Sequence, residues 1–214
     1  MKKEYKALYE TIKQAKKSKA VHMALDMVKN GKIDIITLYE HVLEPVLNDI
    51  DCGIDDLACI WQEHIRTNIV RTIIEAMYVH LEEMFKNNDY QSLNKKVLVV
   101  CPTEEYHEIR ARMATDFFYL VGYESIYIGA NTPLHVIISA IKEEKLDILA
   151  LSVTNRYHLS VTKHLVDAVK VINPDIKIYV GGRAFSSKDA DTLIEPDKIL
   201  WTFADFEALV KGIE

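Results

Sequence analysis

KVLVVCPTEEYHEIR, running from Lys96 to Arg110, is the stretch that sets the fold class of this chain. Its first half, VLVVC (97–101), is a short unbroken apolar run rich in β-branched residues, the pattern of a strand covered on both faces. A polar turn follows, and a helical pattern opens at 106. Open α/β sheets hold their ligands outside the carboxyl ends of such strands. Glu105 and His107 fall at that end, two residues apart. Neutral imidazole is the commonest protein ligand for a metal, and a neighbouring carboxylate can hold its far ring nitrogen and choose the tautomer. A lone histidine in a first helical turn is more often a surface or capping residue, so the pair gains weight only from what surrounds it.

C-terminal to this stretch the same alternation repeats. SIYIG (125–129), ILALSV (148–153) and IYVGG (178–182) are further short apolar runs, separated by helical patterns over 106–121, 133–145 and 158–172. KILWT (198–202) and a final helical pattern over 203–213 add a weaker unit. Strands alternating with helices of this length predict βαβ units and a parallel sheet with helices on both faces. N-terminal to it, residues 1–93 read as helix throughout. Apolar residues recur at helical spacing over 3–20, from Ser18 or Lys19 through Val28, over 35–50 and over 55–86. Asn30-Gly31 is a helix stop, Asp55 or Asp56 a candidate N-cap, and Pro45 a kink or break within the third helix. On the fourth helix Leu57, Ile60, Trp61, His64, Ile65, Ile69, Ile73, Met77, Leu81 and Met84 form the expected apolar stripe. The predicted architecture is an N-terminal four-helix bundle over 1–93 followed by a Rossmann-like, flavodoxin-like α/β domain over 94–214.

Composition narrows the function classes. A formal charge of −6 argues against a protein that coats nucleic acid through bulk electrostatics. No apolar run approaches the roughly 18 residues that suggest a membrane span, and MKKEYKALYE carries no hydrophobic segment of a secretory signal. Cys52, Cys59 and Cys101 lack metal-knuckle or CxxC spacing, and an odd count suggests reduced thiols. A cytoplasmic protein with no direct nucleic-acid or membrane partner is the expectation.

Four residue sets fall at predicted strand ends on one sheet edge: Glu105/His107, Gly129 to Pro133, Ser152-Val153-Thr154, and Gly181-Gly182-Arg183. Glycines permit close backbone approach and hydroxyls offer hydrogen bonds to a polar ligand, although a Gly-Gly pair is commonly a plain turn and Ser or Thr commonly a helix cap.

In this order the sets resemble the cobalamin-binding module of corrinoid methyltransferase proteins, methionine synthase and light-sensing MerR-type regulators. The module's signature is Asp-x-His-x-x-Gly, then Ser-x-Leu or Ser-x-Thr, then Gly-Gly. The matching residues are Glu105 to Arg110, Ser152-Val153-Thr154 and Gly181-Gly182. Gly122-Tyr123 and Ile128 to Pro133 are similar to its "GF…LG…P" segment, and YEHVLEPVLNDI (39–50) with Glu63-His64 is similar to its helical cap. The resemblance implies cobalamin, in its adenosyl or methyl form, as cofactor and His107 as the lower cobalt ligand in place of the dimethylbenzimidazole base. It implies Glu105 as the group that orients His107, and a nucleotide tail running past Ser152, Thr154, Gly181 and Gly182. Glu63 and His64 would face the upper ligand.

Three departures stand out. Glu105 is one methylene longer than the usual aspartate. Arg110 replaces the glycine that lets the tail pass, where it would block the tail or pair with a ligand phosphate. The tryptophan that the light-sensing branch carries about ten residues before its Glu-His is Gly53 here, and Trp61 is too close by register to replace it. The resulting expectation is a stand-alone cobalamin-binding sensor without catalytic activity of its own. The chain opens on the bundle without MerR-type DNA-binding helices, so output would pass through a protein partner or a change of homo-oligomeric state. The alternatives are a corrinoid methyl carrier for a separate methyltransferase, or a module that binds no cobalamin or takes another ligand such as heme through His107.

Overall fold

The computed structural model describes residues 2–50, 56–87 and 91–211. The chain forms two compact units, Met1–Asn87 and Asn88–Glu214.

The first unit is helical. It contains α1 (Lys3–Lys13), α2 (Lys17–Lys29), α3 (Ile35–Leu38), α4 (Glu44–Asn48) and α5 (Leu57–Lys86), with a π-helical turn at Tyr39–Leu43 joining α3 to α4. That turn is the consequence of Pro45. Without an N–H the proline cannot bond to the carbonyl four residues back, and its ring crowds that carbonyl. The helix widens ahead of it, the Glu44 N–H donating to the Tyr39 carbonyl, and continues without ending. At the start of α3, Asp34 accepts from the Thr37 N–H at 2.7 Å and from the Thr37 hydroxyl at 2.7 Å. Asp34→Ala is expected to lower the stability of the protein by about 1 kcal/mol, read from urea denaturation midpoints at constant slope.

Asp56 caps α5 by accepting from the Cys59 N–H at 3.0 Å; Asp55 lies outside the described residues. The long stripe expected on α5 is half realised. Ile69, Val70, Ile73, Ile74, Met77 and Leu81 are buried, whereas Leu57 and Trp61 are 75% and 55% exposed and His64 is exposed too. At 30 residues α5 spans about 45 Å, and α2, at 13 residues, about 20 Å. Cys59 is disulfide-bonded, against the expectation of three reduced thiols, while Cys101 is free and buried.

The second unit is a five-stranded parallel sheet: β1 (Lys96–Val100), β2 (Glu124–Tyr127), β3 (Ile148–Ser152), β4 (Lys177–Gly181) and β5 (Lys198–Ile199), in the order β2-β1-β3-β4-β5. This is the flavodoxin-like order, in which β1 and β3 flank the point where the chain reverses direction across the sheet. The connecting helices are α6 (Ile109–Leu120), α7 (Leu134–Glu143), α8 (Leu159–Ile172), α9 (Lys188–Ile194) and α10 (Phe203–Lys211). Alternation along each strand divides them between two faces. Leu98, Val100, Leu149, Leu151, Ile178 and Val180 pack with α7, α8 and α9. On the other face Phe118 of α6 stacks on Tyr179 of β4 and meets Phe206 of α10 edge-on at 4.8 Å. Both faces are covered, as the continuous apolar strands require. Among the described residues no helix is long and apolar enough to cross a membrane.

Candidate cofactor site

The site is built where β1 and β3 end. Beyond β1, the chain runs alongside the segment after β2. The Cys101 N–H donates to the Gly129 carbonyl, the Thr132 N–H returns to the Cys101 carbonyl at 3.0 Å, and Pro102 and Thr132 form a parallel bridge. Asn131 ties the turn further, its N–H donating to the Glu105 carbonyl at 2.8 Å and its side-chain oxygen accepting from the Glu104 N–H at 2.8 Å. Glu104 and Asn131 both have left-handed backbone, with φ of 68° and 49°. Asparagine tolerates this region; glutamate there is strained at a cost of about 1 kcal/mol, which the Asn131 bonds offset. The turn thereby presents Glu105 to the protein and His107 to the outside. The Glu105 carboxylate is fully buried, whereas the His107 side chain is 54% exposed.

Glu105 is clamped at both oxygens. Oε1 accepts from the His107 N–H at 3.0 Å and from His107 Nδ1 at 2.6 Å. Oε2 accepts from the Thr154 and Asn155 N–H groups at 2.7 and 3.0 Å and from His158 Nδ1 at 3.3 Å. Burial alone would raise the acid's pKa, but the hydrogen bonds from the His107 ring and from the Asn155, His107 and Thr154 amides overcome it and hold the carboxyl at about 2. An ionised carboxylate only accepts, so His107 Nδ1 carries a proton, and when the ring is neutral its lone pair lies on Nε2. That is the tautomer a metal-binding imidazole needs.

Glu108, beside the site, receives the Tyr127 hydroxyl at 2.9 Å and pairs with Arg112, whose guanidinium lies 5.3 Å from the Tyr127 ring centre. This cluster pins the start of α6. Cys101 belongs to the framework: burial pushes its thiol up to about 12, so it stays protonated at neutral pH.

The remaining candidates divide. Ser152 is buried at the end of β3, in register with Gly181 of β4, and its Oγ has no hydrogen-bond partner among the described residues. A buried hydroxyl left without a partner is costly, and a polar ligand group would satisfy this one. Thr154 enters the site through its backbone. The glycines serve the protein's own packing. A Cβ on Gly182, whose φ is +101°, would sit 2.3 Å from the Val153 carbonyl oxygen, and one on Gly181 would sit 2.9 Å from the Leu200 carbonyl oxygen. Arg110 is half-buried in the first turn of α6. Glu63 is half-buried and His64 exposed, both on α5 of the helical unit; Gly53 lies outside the described residues. Asn131 fell within the expected Gly129 to Pro133 set, whereas Asn155 and His158 were not anticipated from the sequence. Asn155-x-x-His158 directly after a strand end was the available signal, because asparagine there builds a turn with its own side chain.

Among the described residues no three His, Cys, Asp or Glu side chains cluster to hold a bare metal ion. One outward imidazole suits a metal that arrives with most of its coordination sphere filled by a macrocycle. With the orphaned Ser152 hydroxyl beside the strand end, these residues fit a corrinoid.

The fold and site together define a parallel α/β domain presenting a carboxylate-held imidazole at its switch point. The same architecture occurs in the monomethylamine corrinoid protein of Methanosarcina barkeri, at a TM-score of 0.77 and 14% identity over 97% of each chain. A cobalamin-binding protein of Desulfitobacterium hafniense aligns at a TM-score of 0.53 and 14% identity, again over 97% of each chain. The methanol:cobalamin methyltransferase complex MtaBC of M. barkeri aligns at 0.51 and 16% identity, over 100% of this chain and 80% of that one. No curated protein sequence matches the chain. Residues 95–204 match the B12 binding domain, and the chain belongs to that family.

Proposed function

We propose that the protein is a corrinoid protein that holds cobalamin through His107 and carries a methyl group between partner methyltransferase active sites. The observation that carries this reading is the Glu105–His107 pair, with its 2.6 Å Nδ1 bond, at the carboxyl edge of a B12 binding domain. The solved structures of similar fold include two described as a corrinoid protein and a cobalamin methyltransferase complex, which favours a carrier with a protein partner over the sensor expected from the sequence.

Bound cobalamin would supply a cobalt centre able to accept and release a methyl group. The chain's own residues do the rest. His107 Nε2 offers the lone pair, and Glu105 keeps the proton on Nδ1 and strengthens the ring as a donor. Ser152 Oγ would gain a hydrogen bond to the nucleotide base of the cofactor, and Arg110, close to the site in sequence, would pair with its phosphate. Gly181 and Gly182 hold β4 against its neighbours and so preserve the strand edge without needing to touch the ligand.

The Glu63-His64 pair on α5, similar to the pair in the cap of the light-sensing branch, supports a second reading, a sensor. Titration of the purified protein with hydroxo-, methyl- and adenosylcobalamin, followed by visible spectroscopy, tests both readings. Stoichiometric binding with a spectral change supports cobalamin as the ligand; no binding of any form overturns it. A carrier would take up a methyl group with methylcobalamin as its working form. A sensor loaded with adenosylcobalamin would change its oligomeric state on illumination, measured by size-exclusion chromatography.

A further inference from the structure

The helical unit contains a cleft that the site on the sheet edge does not use. It opens where α1 begins and α2 and α5 end, beside the start of α3, and has a volume of about 720 Å3. Small-molecule sites commonly span about 300–1,000 Å3. The segment Lys29-Asn30-Gly31-Lys32 shapes its mouth by closing α2. The Lys32 N–H donates to the Met27 carbonyl and the Gly31 N–H to the Val28 carbonyl, both at 2.9 Å, with Gly31 at a φ of +64°. This paired closure needs a left-handed residue, which glycine supplies, and it satisfies carbonyls at the helix end that would otherwise favour a cation. A Cβ on Gly31 would meet nothing within 4 Å, so the turn borders open space.

Floor and rim differ in chemistry. Buried Tyr5, Ile33 and Ile35, with half-buried Val28 and Met84, supply an apolar floor. Lys2, Lys29 and Lys32, all exposed, stand around it. Lys2 Nζ lies 5.3 Å from the Tyr5 ring centre, which holds that charge at the edge of the apolar surface. Among the described residues two carboxylates, Asp34 and Glu83, line the cleft, and both are engaged. Asp34 accepts from the Thr37 N–H and hydroxyl, each at 2.7 Å, and Glu83 Oε2 lies 3.2 Å from His80 Nδ1. In a chain of formal charge −6, three lysines against two occupied acids make a local surplus of positive charge.

We propose that this cleft binds an amphipathic organic anion, its apolar body resting on Tyr5, Ile33, Ile35 and Met84 and its carboxylate or phosphate head held by Lys29 and Lys32. An apolar floor alone would accept any hydrophobe. The lysines discriminate, attracting an anion and opposing a cation of the same shape, and as compact point charges they take a carboxylate or a phosphate alike. The cleft lies wholly within the helical unit, so the inference does not depend on His107 or on cobalamin.

The test uses the full 15N-labelled chain without cofactor, with octanoate and octyl phosphate as probes. Octylammonium supplies the same tail with the opposite charge, and acetate supplies a head group without the tail. In amide NMR spectra at least one of the two anions should give saturable 1:1 shifts centred on Gly31, Lys32, Ile33 and Met84, the tighter binder naming the head group. Octylammonium and acetate should not saturate these amides. Lys29→Glu combined with Lys32→Glu should weaken anion binding about tenfold or more, since two surface charge pairs are reversed, whereas Lys29→Arg with Lys32→Arg should retain it. Both lysines are exposed, so the charge-reversed protein should keep the wild-type amide spectrum away from the cleft. Absence of saturable shifts with both anions, equal binding of octylammonium, or undiminished binding by the charge-reversed protein overturns the proposal.

Discussion

His107→Ala is expected to weaken cobalamin binding about 100-fold or more, since even the groups that support a metal ligand contribute 10- to 100-fold. Any corrinoid still bound should show a visible spectrum without the contribution of a protein nitrogen. The reasoning is local. His107 stands in the turn with its ring turned outward and its Nδ1 committed to Glu105, so the loss of Nε2 has no substitute in Glu105, which is buried and fully bonded. The fold should survive. The side chain is 54% exposed, and Oε1 of Glu105 keeps the His107 backbone N–H as a donor. The expected stability change is about 1 kcal/mol, the size of one hydrogen bond. A well-folded variant with wild-type cobalamin affinity would remove His107 from the proposed site.

Glu105→Gln should show the opposite balance, with a large effect on the fold even without cofactor. The buried carboxylate collects amide donors from the β1 and β3 ends, and a neutral amide must turn an NH2 group towards some of them. Removing one side of a buried charged network costs about 3–5 kcal/mol, to be read from urea denaturation at pH 7. The pH dependence follows from the same bonds. Glu105 has its folded-state pKa lowered from 4.5 to about 2. Its contribution is fully present above about pH 4.5 and is lost as the pH falls from there through about 2. It is worth on the order of 3 kcal/mol at neutral pH. Wild type should lose this increment on acidification, and Glu105→Gln should lack that component of the acid dependence. Parallel acid profiles for the two proteins would show that the carboxylate is not ionised in the folded state.

The structure also changes what the motif residues mean. Gly181 and Gly182 stand in the expected places, but a Cβ at either meets the protein's own carbonyl oxygens. They define the strand edge, and the unsatisfied hydroxyl of Ser152 is a separate pointer to a polar ligand group. On α5 the apolar periodicity continues through Leu57 and Trp61, yet both are exposed. Periodicity reports which face is apolar; what covers that face is a property of the whole bundle.

By itself the sequence determined the alternation of strands and helices, the parallel sheet and the placing of Glu105 and His107 at a strand end. These follow from short-range physics: β-branched runs between helical patterns, turn residues between them, and a parallel sheet's need for cover on both faces. Tertiary structure alone decided what Glu105 Oε2 binds. Thr154, Asn155 and His158 lie 49 to 53 residues away along the chain and reach the carboxylate only because β1 and β3 are neighbours in the sheet. Hydrogen-bond partners across a sheet edge are set by strand order and register, which local propensity does not encode.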